Sequence, residues 1–188
     1  ALFALLSQTQ LLHSSAEIGS ISEVRGNAQV LRDKPYGAEL KFNIQQMDDV
    51  RTEAGRVAIT FEDESTVKLT EHSKLVIDEY IYDPDPSKSK MALKFASGTA
   101  RFITGKFNNK SNISIKTPTA DIAIRGTDFT CTVDELGRSL VILLPDENGI
   151  SSGEIIVATA MGSVTLNKPY QATTVSVYEN NPSKPVTL

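Results

Sequence analysis

Cysteine is nearly missing from these 188 residues, and its scarcity excludes more functions than any single motif suggests. The lone Cys131 rules out an internal disulfide framework and any CxxC metal or redox motif. The two histidines, His13 and His72, are too few for a histidine-rich metal centre, and nothing in the sequence sets either beside Cys131. Aromatic residues make up only 6% of the chain, and Lys and Arg are scattered singly, so the basic surface and stacking platforms of a nucleic-acid binder are not indicated. The densest basic cluster, Lys88, Lys90 and Lys94, reads as a solvated loop. A formal charge of −4 selects no partner. No apolar run reaches the roughly twenty residues that a bilayer span requires, so no transmembrane segment is expected. Phosphate-cradling glycine loops are also missing, and no cofactor is implied.

What the chain does have is ordinary globular composition, 40% hydrophobic and 22% charged, over a length that suits one domain or two small ones. From Glu17 onward, short runs alternate apolar and polar residues, rich in Val, Ile and Thr and separated by glycine or Asx turns. This pattern predicts strands over 18–24, 28–32, 56–61, 66–69, 74–82, 91–95, 99–103, 112–116, 121–124, 129–134, 139–143, 154–158, 163–166 and 173–178. Two prolines, Pro84 and Pro86, make 83–90 a loop between two halves, since each removes a ladder donor. Residues 1–16 read as a separate short amphipathic helix that brings Leu2, Leu5, Leu6 and Leu12 near one face for docking on a partner. A main β unit over 17–145 and a C-terminal extension and tail over 146–188 complete the expected organisation. The fold class is all-β, a multi-stranded sandwich or a solenoid-like β-roll. The tail after Glu179 carries two prolines and is expected to order only against a neighbouring subunit.

Catalytic patterns are weak. Gly149-Ile150-Ser151-Ser152-Gly153 has the spacing of a nucleophile elbow, yet it lacks a strand-to-helix context, and both histidines precede it. It reads as a polar loop. Asp83, Asp85 and Asp146 lack the ligand spacing of a calcium loop, and the adjacent Asp48 and Asp49 point to opposite faces if they lie on a strand. Cys131 alternates with Phe129 and Val133 and reads as a buried thiol.

The order of landmarks resembles the FecR domain of iron-dicitrate regulators over 17–145. Ile18 to Val30 is similar to that family's first hairpin, and Asp48-Asp49-Val50-Arg51-Thr52 stands at its Gly-Asp-x-Ile-x-Thr corner. Asp63-Glu64-Ser65 stands at its Asp-Gly-Ser turn, with Asp48 and Glu64 where the family has glycine, so these two turns are expected to differ in backbone conformation. The strongest likeness is Thr117-Pro118 followed by Arg125-Gly126-Thr127 and Phe129, expected to be a buried folding corner. The resemblance implies a non-enzymatic protein that binds other protein subunits as a homo- or hetero-oligomer. It allows two settings: a structural component of a bacteriophage virion, which is the leading expectation, or a sensing module of the bacterial periplasm and cell envelope. An envelope carbohydrate-binding or hydrolytic enzyme is the third reading.

Overall fold

The computed structural model describes residues 16–108 and 110–188. The expected helix and its leucines, Leu2, Leu5, Leu6 and Leu12, lie outside the described residues.

Alternation of buried and exposed side chains produces the strands β1 (Glu17–Arg25), β2 (Ala28–Leu31), β3 (Pro35–Gly37), β4 (Asn43–Gln45), β5 (Asp49–Thr52), β6 (Arg56–Phe61), β7 (Thr66–Leu69), β8 (Lys74–Ile81), β9 (Lys90–Ile103), β10 (Asn112–Lys116), β11 (Asp121–Arg125), β12 (Asp128–Val133), β13 (Ser139–Leu143), β14 (Glu154–Ala158), β15 (Ser163–Leu166), β16 (Gln171–Val175) and β17 (Val186–Thr187). They form a sandwich of two sheets. The front sheet runs β4-β1-β6-β7-β9-β12-β13-β16-β17. The back sheet runs β3-β2-β5-β8-β9-β10-β11-β14-β15. The β9–β10 pair is parallel and the rest are antiparallel. Between the sheets lies one continuous apolar core, to which the front contributes Ile59, Phe102 and Phe129 and the back Leu75, Leu93 and Ile122.

Strand β9 belongs to both sheets, and its residues show how. Met91, Leu93 and Phe95 are buried in the back half, whereas Ala100 and Phe102 are buried in the front half, so the inward parity flips between them. Gly98 makes the flip with φ +97, and a Cβ there would fall 2.2 Å from Ser73 Oγ and 2.6 Å from Ser73 Cα. The alternation alone suggests two strands, 91–95 and 99–103; the structure joins them through this bend. Phe95 and Phe102, one from each half, then meet edge-on at 6.0 Å.

Two other expectations are corrected. Lys90 and Lys94 lie on β9 rather than in a loop and pair with Glu79 and Asp78 of β8. The C-terminal tail is bonded to its own chain: Ser183 N–H donates to Thr174 O at 2.9 Å, Thr159 Oγ1 donates to Asn180 O at 2.6 Å, and Val186 pairs with Ala172. Strands β14 to β17, all from residues beyond 146, lengthen both sheets and bury Ile155, Val157, Leu166 and Val175 in the common core.

Candidate functional site at the Arg-Gly-Thr corner

The Thr117-Pro118 pair forms the turn of the β10–β11 hairpin. Thr117 N–H donates to Ala120 O at 2.9 Å, and Ala120 N–H donates to Thr117 Oγ1 at 2.9 Å. The hydroxyls of Thr117 and Thr119 meet that of Ser139 at 2.7 and 2.8 Å, all three buried. This hydroxyl cluster ties the hairpin to the start of β13, and Thr119 also donates to Gly137 O at 2.9 Å. Buried hydroxyls need such partners, and here they supply them to one another.

At the far end of β11 the chain crosses from the back sheet to the front sheet through Gly126 and Thr127. Arg125 is exposed, with Nη1 3.6 Å from Glu154 Oε1, its neighbour across the β11–β14 pair. Gly126 has φ +55, the left-handed conformation that glycine tolerates, yet a Cβ built there meets nothing within 4 Å. The crowding lies instead at Gly153, where a Cβ would fall 1.8 Å from Gly126 O. Thr127 is buried and latched to the end of β9: Thr104 N–H donates to Thr127 O at 2.9 Å, and Thr127 N–H donates to Thr104 Oγ1 at 3.2 Å. Its own hydroxyl is buried with no hydrogen-bond partner among the described residues. Phe129 follows, fully buried and stacked on Phe102 at 5.0 Å, and Ile124 precedes, also buried.

Beside this corner opens a cleft of about 520 Å³ bordered by Arg101, Thr104, Gly126, Asp128, Asp146 and Glu147. Three of its charged groups, Arg101, Asp128 and Asp146, have partners within the chain. Arg101 grips Asp128 with two parallel bonds of 2.9 and 2.6 Å, a fork that holds the guanidinium pKa above its usual value. The Asp146 carboxylate accepts the N–H groups of Asn148 and Ile150 at 2.8 and 3.0 Å, closing its own turn. Ser152 accepts Asp128 N–H at 2.9 Å and donates to Leu144 O at 2.7 Å, while Ser151 donates to Gly153 O at 2.8 Å. The Gly-x-Ser-x-Gly segment is thus a strut between β12 and β13, as a polar loop reading requires.

The remaining candidates are equally committed. Asp83 and Asp85 each accept a backbone N–H two residues on, from Asp85 at 2.8 Å and Ser87 at 3.0 Å. Among the described residues no group of three or more His, Cys, Asp or Glu side chains could hold a metal ion. Burial pushes the Cys131 thiol pKa up to about 12, which keeps it protonated and unreactive at neutral pH. Asp48 and Asp49 diverge as alternation requires: Asp48 is fully buried under a two-bond grip from Arg32, 2.7 Å each, while Asp49 pairs with Arg51.

Reasoning from sequence missed a polar centre at the β6–β7 corner. Asp63, fully buried, accepts Ser65 N–H at 3.3 Å, the Ser65 hydroxyl and the Tyr80 hydroxyl at 2.9 Å. Asp63 N–H in turn donates to Tyr80 Oη at 2.9 Å, and Gly105 N–H donates to Ser65 Oγ at 2.8 Å. Burial raises the Tyr80 pKa above its ordinary value, so the phenol stays a donor. Glu64, standing where a glycine was expected, adopts φ +68 and reaches Lys106 at 2.8 Å, so this turn keeps the conformation a glycine would favour. The Asp-x-Ser spacing marked the turn, but nothing local marked Tyr80, seventeen residues on.

Comparison with known proteins agrees with this architecture. No curated protein matches the chain in sequence. Two crystal structures of a candidate anti-sigma factor from Parabacteroides distasonis ATCC 8503, at 2.50 and 1.65 Å resolution, share the fold with TM-scores of 0.57 and 0.56 at 14% identity. Each alignment covers 74% of this chain and 60% of that one, so the chain spans less than two thirds of those proteins. Nothing in the comparisons favours a virion component over the sensing alternative. Residues 48–164, from the buried Asp48 through the Arg-Gly-Thr corner to β15, match the family described as FecR protein, and the chain belongs to that family.

Proposed function

We propose that this chain is the signal-sensing module of a FecR-type regulator, working at the bacterial cell envelope by binding other proteins and not by catalysis. The observation that carries this reading is the family match over residues 48–164, which spans the shared strand β9, the Asp63 centre and the Arg-Gly-Thr corner. The likeness in fold to a candidate anti-sigma factor supports a regulatory role. So does the internal use of the groups best suited to chemistry: Asp48, Asp63, Ser152 and Cys131 serve packing and turn closure. In this reading Thr117, Pro118, Arg125, Gly126, Thr127 and Phe129 hold the sandwich together, and residues 17–145 with the strands of 146–188 form the sensing body.

The test is an in-frame deletion of residues 17–178 in the native gene, followed by transcript profiling and by mass spectrometry of envelope and particle fractions. A shift confined to genes under one alternative sigma factor supports the proposal. An unchanged transcriptome together with loss of an assembled envelope or virion structure would overturn it in favour of a structural component.

A further inference from the structure

Of the four sheet edges formed by the described residues, three are very short, and one of these is also capped by side chains. At β4, Arg32 donates to Asn43 O at 3.0 Å and Asp48 accepts Gln45 N–H at 2.8 Å. Edge β3 is three residues long and begins with Pro35, which has no N–H. Edge β17 is only two residues long. Short or capped edges of this kind prevent unwanted strand pairing.

The fourth edge, β15, is different. Among the described residues it pairs with β14 alone. Thr159 N–H donates to Gly162 O at 2.8 Å, which makes that pair a hydrogen-bonded one. Alternation along an antiparallel ladder then bonds Val164 to Val157 and Leu166 to Ile155, and turns the N–H and C=O groups of Ser163 and Thr165 away from β14. Both residues are exposed, and neither is charged nor proline. Val164, between them, packs against the core but stays half-exposed, because none of the described strands lies beyond it.

We propose that this edge is completed by β15 of a second copy of the chain, running antiparallel about a two-fold axis beside Val164. The match to itself is what selects this occupant. With Val164 opposite its twin, Ser163 faces Thr165 of the second copy and Thr165 faces Ser163. All the outward backbone groups of these two residues are then satisfied. The valines take the close, non-bonded position and cover each other's exposed side, while the hydroxyls pair on the outer face. Leu166 lies opposite Gly162, and Lys168 opposite Ala160, so no like charges oppose each other across the axis. The back sheets of the two copies become continuous. This inference stands on the edge geometry and does not depend on the sensing role.

The test uses the purified chain and three variants. Sedimentation of the wild type over rising concentration is expected to show a mass approaching twice 20.4 kDa. Val164→Cys is expected to form an oxidised dimer, since opposed residues of this type bring their Cβ atoms within disulfide range. Ser163→Cys, which faces Thr165 and not itself, is expected to remain uncrosslinked, and Cys131 is buried and does not compete. Thr165→Pro removes an outward N–H without touching the β14 ladder, and is expected to be monomeric with an unchanged melting temperature. Should that variant fail to fold, the two cysteine variants decide the matter. A wild type that stays monomeric throughout, a dimer that Thr165→Pro leaves intact, or crosslinking no stronger at 164 than at 163 would each overturn the proposal.

Discussion

Two corners of this sandwich turn the chain at similar places and are held by opposite means. At the β6–β7 corner, a buried carboxylate, two hydroxyls and backbone N–H groups satisfy one another around Asp63, and the aromatic rings of Phe61 and Phe107 enclose Tyr80 at 5.2 and 5.7 Å. At the Arg-Gly-Thr corner there is no such centre. A glycine in open space, a second glycine pressed against its carbonyl and a hydroxyl with no partner are held by backbone bonds to Thr104 and by Phe129. The first corner depends on a complete polar network, and the second on backbone approach and packing. Substitutions should therefore separate them by type.

The largest effect is expected from Asp63→Ala, which strands the Tyr80 hydroxyl, the Ser65 hydroxyl and the Ser65 N–H without their acceptor. A loss of about 3–5 kcal/mol is expected in denaturant unfolding. If the loss stays below about 1 kcal/mol, the network does not hold the corner. Next comes Gly153→Ala, whose Cβ meets the backbone oxygen of Gly126 and not a side chain that could swing aside. About 3 kcal/mol is expected, with the strain relieved only by moving β14 away from β11.

Gly126→Val tests the other glycine of the same corner and should cost less, about 1–2 kcal/mol, since only φ and not space opposes it. Gly126→Asn should recover most of that loss, because asparagine tolerates the left-handed region. An equal loss for both variants would mean that space, not φ, governs the position. Thr127→Val, near in shape, removes a buried hydroxyl that has no partner, and thermal melting should show no change or a gain of up to about 1 kcal/mol. A clear loss would show that the hydroxyl does find a partner in solution.

The smallest effect is kinetic. Cys131 follows the second corner on β12, and its folded pKa, about 12, lies above the ordinary thiol value of roughly 8.5. An acid whose folded pKa is raised favours the folded state below the unfolded pKa and loses that contribution as pH rises toward the folded one, here between roughly 8.5 and 12. Alkylation of the native protein should be slow at pH 8 and should speed up in Gly126→Val more than in a surface variant. Equal rates would separate Cys131 from the opening of the corner.

The period-two pattern placed most of the strands, and 56–61, 66–69, 112–116, 139–143, 154–158 and 163–166 coincide with strands of the structure. It failed where the signal is too short: β3 and β4, three residues each, hold barely one repeat, and β5 was read as a corner. It also divided β9, because a local pattern sees the parity flip at Gly98 as a stop when it is a passage between sheets. At the site, Thr117, Gly126 and Phe129 were legible because turns and burial mark the nearby chain. Arg32 with Asp48 and Tyr80 with Asp63 were not, since each pair is made by strands that meet only after folding.

By itself, then, the sequence determined an all-β protein with a FecR-type order of turns, no disulfide framework and no apolar span, because composition, alternation and turn chemistry are local properties. Which sheet each strand joins, which carboxylates are buried, and which edge stays open were decided by the tertiary structure. A tail with two prolines could be expected to need a partner, and it found one in β16 of its own chain. An edge such as β15, indistinguishable in sequence from the strands within the sheets, is left unpaired among the described residues because the chain that follows it crosses to the other sheet.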